Sequence, residues 1–71
     1  MNPDVLEAIR TTYPGWRITR LGALWWATLH TAPDAAERAL GVQHQVAQPS
    51  VGELVVALAH QAHLLSLIRR T

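Results

Sequence analysis

The chain has 71 residues, with six Arg, no Lys and no Cys, and a formal net charge of +1 at pH 7. This length predicts one small domain over residues 1–71, and the missing cysteines exclude disulfides, thiolate metal ligands and thiol nucleophiles. The scattered charges argue against strong nonspecific nucleic-acid binding. A domain this short buries only about 60% of its unfolded surface, so a partner subunit is the expected source of additional stability.

The N-terminal sequence lacks the basic and apolar regions of a signal peptide. Residues 51–68 are about as long as a membrane span. The side chains most costly in hydrocarbon that interrupt them are Glu53, His60, Gln61 and His63. We therefore expect a cytoplasmic protein with no membrane partner.

The first predicted element is a helix that begins at Asn2. Asn2 is an N-cap residue, Pro3 suits the first helical position, and Asp4 lies near the positive end of the helix dipole. Pro14 disfavours helical geometry at the residue before it, so the helix ends there and a turn follows. Its apolar stripe consists of Val5, Leu6, Ile9 and Tyr13.

A β-hairpin is predicted next, with strands over 16–21 and 24–30 and with Gly22 opening a tight turn. The predicted register pairs Leu21 with Leu24, Arg20 with Trp25, Thr19 with Trp26, Ile18 with Ala27, and Trp16 with Leu29. The expected core face then carries Trp16, Ile18, Trp25, Ala27 and Leu29, and the opposite face carries Arg17, Thr19, Trp26 and Thr28. A slip of one residue would exchange Trp25 and Trp26.

Two shorter segments precede the last helix. Residues 31–40 form either a short helix stopped by Gly41 or an ordered excursion. Residues 42–47 alternate again and predict a third strand, with Val42, His44 and Val46 on one side. The predicted fold class is α+β, with an N-terminal helix, a three-stranded antiparallel sheet, and a long C-terminal helix packed on one face.

The long C-terminal helix is predicted over Ser50 to Arg70. Ser50 and Glu53 have the spacing of a capping box, in which each side chain bonds a free backbone N–H of the first turn. At 100° per residue, one broad apolar face should cover the sheet: Val51, Leu54, Val55, Leu58, Ala62 and Leu65.

The opposite side of this helix is not polar, because it carries Val56, His60, His63 and Leu67 at spacings of four, three and four. This spacing is typical of a packing seam between helices. One interpretation is that the apolar residues are the scattered ones found on any surface. The other, which we favour, is that the seam contacts a second copy of the helix or another protein.

The pair His60 and His63 shares one helical face, so the two rings could bind a metal together with His44 or His30. No cysteine or carboxylate lies at ligand spacing to complete the set. We expect no metal site and interpret the two imidazoles as surface or interface groups.

Trp26 is predicted to point outward beside Arg17, where an aromatic ring and a guanidinium could stack a base or anchor a protein contact. The alternative is that the 31–41 segment covers it. The order helix, three strands, helix is also found in double-stranded-RNA-binding domains. A nucleic-acid-associated protein with this order would bind through Arg17, Arg20 and Trp26. Those domains carry a Lys cluster where this chain has Ser50 to Glu53.

Three motifs together resemble a group of small actinobacterial proteins to which no activity is assigned. The motifs are the Tyr13-Pro14-Gly15-Trp16-x-Ile18 segment, the Trp25-Trp26-Ala27 segment, and the Glu53-Leu54 pair that opens the last helix. Residues 41–54 resemble the third strand and helix entry of that group, whereas the last helix here is more apolar. The resemblance implies the same fold and a GC-rich source.

No phosphate-binding loop, nucleophile elbow or convergent carboxylate pair is present in the sequence. We expect no catalytic activity and no cofactor. The sequence favours a protein-interaction or regulatory module, a homodimer through the last helix. Its predicted partner-binding residues are Val56, His60, His63, Leu67, Trp26 and Arg17. The alternative function is a nucleic-acid-associated accessory protein.

Overall fold

The computed structural model describes the backbone of residues 3–69 and the side chains of residues 5–68. Two longer helices and a three-stranded antiparallel sheet confirm the predicted α+β fold. The sheet order is β1-β2-β3, and α3 packs on β2 and β3. In chain order the elements are α1 (Pro3–Thr12), β1 (Trp16–Leu21), β2 (Leu24–Leu29), α2 (Ala35–Ala39), β3 (Gln45–Gln48) and α3 (Val51–Arg69).

The predicted hairpin register is confirmed at every pair from Trp16 with Leu29 to Leu21 with Leu24. Gly22 has a φ of 63°, and Ala23 does not have a positive φ. A glycine with positive φ at the first turn position is what a type II′ turn requires, and this turn matches the twist of the two strands. The turn therefore fixes which tryptophan faces the core. The Asn2 cap predicted for α1 lies outside the described residues.

The core lies between the sheet and the two longer helices. Ile9 of α1 and Leu54 of α3 are buried against the same face of the sheet, so both helices cover one side of it. Leu54 and Leu58 are fully enclosed at 0% exposure. The buried cluster consists of Ile9, Trp16, Ile18, Trp25, Ala27, Val46, Leu54 and Leu58.

The segment for which the sequence left two alternatives open contains a short helix, α2, that has a defined cap at each end. Asp34 accepts from the backbone N–H of Glu37, and the Glu37 carboxylate accepts from the backbone N–H of Asp34, which completes a capping box. At the other end, the N–H of Val42 donates to the Glu37 carbonyl and that of Gly41 donates to the Arg38 carbonyl. These two bonds form a Schellman motif around Gly41, whose φ is 102°.

The third strand begins later than predicted, at Gln45 instead of Val42. The prediction that His44 shares a side with Val42 and Val46 is wrong, because both valines are buried and His44 is exposed. The cause is a long-range contact. The N–H of Gln43 donates to the side-chain oxygen of Gln61 at 2.8 Å and is therefore not available to a β-ladder.

The start of α3 also differs in detail from the predicted capping box. The Ser50 hydroxyl oxygen accepts from the backbone N–H of Glu53 at 3.2 Å, as predicted. The Glu53 carboxylate accepts from the Ser50 hydroxyl at 2.9 Å, whereas the prediction had it reach the Ser50 backbone. The helix begins at Val51, directly after this cap.

Candidate interaction surfaces

Two surfaces carry the residues that the sequence singled out, and they lie on opposite sides of the molecule. We call Val56, His60, His63 and Leu67 the outer face of α3. We call Arg17, Thr19, Trp26 and Thr28 the open face of the sheet. Because both longer helices cover the other side of the sheet, the structure does not bring the six predicted partner-binding residues together.

All four residues on the outer face of α3 are exposed. Val56 is 70% exposed and Leu67 is 42% exposed, whereas Leu54 and Leu58 on the inner side of the same helix are fully buried. Large apolar side chains therefore lie on both sides of α3, and the fold encloses only one of those sides.

The outer face of α3 carries no formal charge. Glu53 is the acidic residue of the first turn, and the next charged residue along the helix is Arg69. On the outer side, the roughly four turns between them present aliphatic and imidazole side chains and the small residue Ala59, which is exposed as well. Covering such a surface removes no charged group from water, so association is not opposed by the cost of desolvating an ion.

Length and composition qualify the stretch Val51–Ile68 of α3 as a candidate membrane span, and 17% of that window is buried in the fold. A soluble helix that covers a sheet usually has a charged or polar outer side, whereas the outer face of α3 is half aliphatic and carries no formal charge. On the inner side, Leu54, Leu58 and Gln61 are committed to the sheet and to the 41–43 segment. The unusual property of α3 is thus confined to its outward half.

Gln61 is a structural residue that the sequence analysis missed. It is 4% exposed, and its amide group bonds the backbone at two positions. Its oxygen accepts from the N–H of Gln43, and its nitrogen donates to the carbonyl of Gly41 at 3.3 Å. The signal was present, because Gln61 lies three residues after Leu58 and four before Leu65, on the buried side of the helix.

The open face of the sheet has a half-buried aromatic ring at its centre. Trp26 lies opposite Thr19 of β1 and Ala47 of β3 and points away from the helices, as predicted. The α2 part of the 31–41 segment lies on the other side of the sheet. There α2 packs beside α3, and Glu37 of α2 lines a cavity together with Leu65 of α3.

Arg20 and Arg17 lie on different faces of the sheet. The guanidinium carbon of Arg20 is 5.3 Å from the centroid of the Trp25 ring, a cation–π distance, on the helix side. Arg17 is exposed on the open face with Trp26. The three residues considered for nucleic-acid contact therefore do not form one surface.

The histidines do not converge on a shared site. His44 is hydrogen-bonded at the sheet, where its Nε2 lies 3.1 Å from the carbonyl oxygen of Leu29. His60 and His63 lie on the outer face of α3. Within residues 5–68, no three His, Asp or Glu side chains form a group that could hold a metal ion.

One groove beside α3 is apolar and shallow. It has a volume of about 380 Å³ and lies between α1 and α3, and the residues that line it are Val5, Ala8, Ile9, Thr12, Tyr13 and Val55. Tyr13 is the only titratable group in that lining. The groove can accommodate an apolar side chain, but its lining offers no pair of groups for acid–base chemistry.

Comparison with protein-family models, with curated proteins and with solved structures gave no match. Any function must therefore be argued from the two surfaces themselves.

Proposed function

We propose that this chain is a non-catalytic protein-interaction module and that it acts as a homodimer joined through the outer face of α3. The observation that carries this proposal is the contrast within one helix. Val56 is 70% exposed on an uncharged side, whereas Leu54, two residues earlier on the opposite side, is fully buried. A second copy of the chain presents the same uncharged surface, so a symmetric contact covers both at once.

The magnitudes favour a weak dimer. Full burial of a Val or Leu side chain contributes about 1.5–3 kcal/mol, and a symmetric contact buries Val56 and Leu67 of both copies. Those four side chains supply roughly 6–12 kcal/mol at most. Association itself costs on the order of 4–15 kcal/mol in lost freedom. A micromolar dissociation constant requires a net gain of about 8 kcal/mol, which the two terms reach where burial is near its maximum and the cost near its minimum. We expect the dimer to lie there.

The proposal includes a cytoplasmic location and no membrane partner. Support comes from the inner side of α3, where Leu54 and Leu58 form part of the core and Gln61 bonds the 41–43 segment. Insertion of α3 across a membrane would remove all three residues from these contacts. Flotation of the chain with zwitterionic or anionic lipid vesicles would contradict this part of the proposal.

The deciding experiment is analytical ultracentrifugation of the chain at micromolar concentration. We expect a concentration-dependent dimer, and we expect Val56→Glu with Leu67→Glu to return it to monomer, because burying a carboxylate without a partner is costly. Leu21→Glu is the matched control. Leu21 is 72% exposed, close to the 70% of Val56, but it lies at the hairpin turn and not on α3.

The double Glu variant must keep its fold for the result to count. Near-ultraviolet circular dichroism of the buried Trp16 and Trp25 reports on that fold. A wild-type chain that is monomeric throughout the micromolar range would refute the proposal. Loss of the tryptophan signal in the double variant would mean that the two faces of α3 are assigned the wrong way round.

A further inference from the structure

Resting on the proposed dimer, we propose that the two copies of α3 pack antiparallel in one specific register. The register places Val56 opposite the partner's Leu67 and His60 opposite the partner's His63. Its symmetry axis crosses each helix between residues 61 and 62. The orientation and the register are separate from the existence of the dimer, and they can be wrong while the dimer is right.

The register follows from the spacing on the outer face of α3. Val56, His60, His63 and Leu67 are separated by four, three and four residues, so they alternate between the two seam positions of a heptad. In an antiparallel pair of helices, each layer of the seam joins one type of position with the other. The two numbers in a layer then have a constant sum, which is 123 for both Val56 with the partner's Leu67 and His60 with the partner's His63.

This register places side chains of the same chemical type opposite each other. The two exposed aliphatic side chains of the seam meet each other, and the imidazoles meet each other in the centre. A neutral imidazole carries one donor and one acceptor nitrogen, so His60 can donate to the partner's His63 or accept from it. The seam has the same composition read in either direction, as an antiparallel two-fold contact requires.

Charge complementarity selects the antiparallel orientation over the parallel one. Glu53 is exposed three residues before Val56, at the next seam position. In the sequence, Arg70 follows three residues after Leu67; it lies outside the described residues. Antiparallel packing places Glu53 toward the C-terminal end of the partner helix, where the basic residues are. Parallel packing places like charges together at both ends.

The helix dipoles favour the same orientation. Antiparallel helices place the positive end of one dipole beside the negative end of the other, whereas parallel helices oppose these ends. Dipole and exposed ion-pair contributions are individually small. Terms of this size decide the orientation of the pair, whereas its affinity comes from the buried aliphatic groups.

The chain has no cysteine, so single cysteine substitutions report on the orientation without interference. We would prepare Val56→Cys and Leu67→Cys, oxidise each alone in a glutathione buffer, and oxidise an equimolar mixture after co-refolding. In the antiparallel register, residue 56 of one copy lies about 16 Å along the axis from residue 56 of the other. A disulfide needs Cα atoms within about 7 Å, so each single variant should stay uncrosslinked.

The mixture should form at least about tenfold more 56–67 mixed disulfide than either variant alone forms with itself, as read by mass spectrometry. Efficient crosslinking of each variant with itself would mean parallel packing; it would overturn this inference and leave the proposed dimer standing. If neither the single variants nor their mixture crosslinks, although the variants still sediment as dimers, the contact lies elsewhere and the register is overturned. A chain that sediments only as monomer overturns the dimer, and the register with it.

Discussion

The backbone N–H of Gln43 donates to the side-chain oxygen of Gln61 at 2.8 Å, and this bond joins the approach to β3 to the middle of α3. The nitrogen of the same amide donates to the carbonyl of Gly41. One buried side chain therefore satisfies two backbone groups of the connection between α2 and β3. It also directs α3, because Gln61 lies on the helix face that contains Leu54 and Leu58.

Replacing Gln61 with Ala should be among the more destabilising substitutions in the chain. It leaves the N–H of Gln43 and the carbonyl of Gly41 without their side-chain partner, at a cost of about 1–3 kcal/mol. The measurement is the free energy of unfolding in urea. Gln45→Ala is the matched control, since the Gln45 amide donates to Thr28 on an exposed surface. We expect its effect to be within about 0.5 kcal/mol.

If the two Gln substitutions lower the free energy of unfolding equally, the buried amide of Gln61 contributes no more stability than the exposed amide of Gln45. The comparison requires a two-state transition with the same denaturant dependence in both variants.

The hairpin could be predicted from the sequence because all its determinants are local. Gly22 supplies the positive φ that the two-residue turn needs, and alternation of apolar residues sets the register on either side. The outward position of Val56 and Leu67 followed in the same way from helical periodicity.

The beginning of β3 could not be predicted because it depends on a contact between residues 18 positions apart. The alternating pattern of residues 42–47 suggested a strand from Val42, but the N–H of Gln43 bonds Gln61 instead of a neighbouring strand. For α2 the reason is different. The Asp34-x-x-Glu37 capping pattern was present in the sequence, and it would have favoured the helix over the excursion.

The two candidate surfaces were only partly predictable. Sequence periodicity placed Trp26 outside and Trp25 inside, as the structure shows. Placing Arg20 on the same surface as Arg17 was wrong, because residues 17 and 20 are an odd number apart and point to opposite sides of a strand. What contacts either surface stays a prediction, because the fold of one copy does not determine its partner.

The open face of the sheet should not bind nucleic acid appreciably at physiological salt. Of the four residues that define this face, only Arg17 is charged, and nonspecific affinity depends on how many phosphates the protein neutralises. The measurement is a titration of labelled single- and double-stranded RNA, with tryptophan fluorescence as a second readout. A salt-dependent shift that both Arg17→Ala and Trp26→Ser weaken would favour the alternative function. Arg20→Ala serves as the control on the other face.

Association through α3 should weaken as the pH falls, because His60 and His63 lie on its uncharged outer face. Imidazole groups take up a proton within about pH 5–8. In the proposed register, the groups that face each imidazole across the interface are the imidazoles of the other copy. Protonation therefore removes their acceptor nitrogens and places like charges together. We therefore expect the dimer to be stronger at pH 8 than at pH 5.5.

We expect ultracentrifugation at equal ionic strength to show monomer at pH 5.5 and dimer at pH 8. Replacing both His60 and His63 with Gln should remove the pH dependence while keeping hydrogen-bonding groups at the seam. His30→Gln is the matched control, because His30 is also exposed but follows β2 and does not belong to the outer face of α3. Its association should keep the pH dependence of the unaltered chain. The assignment of the switch to α3 fails if the His30 variant loses that dependence and the double variant retains it.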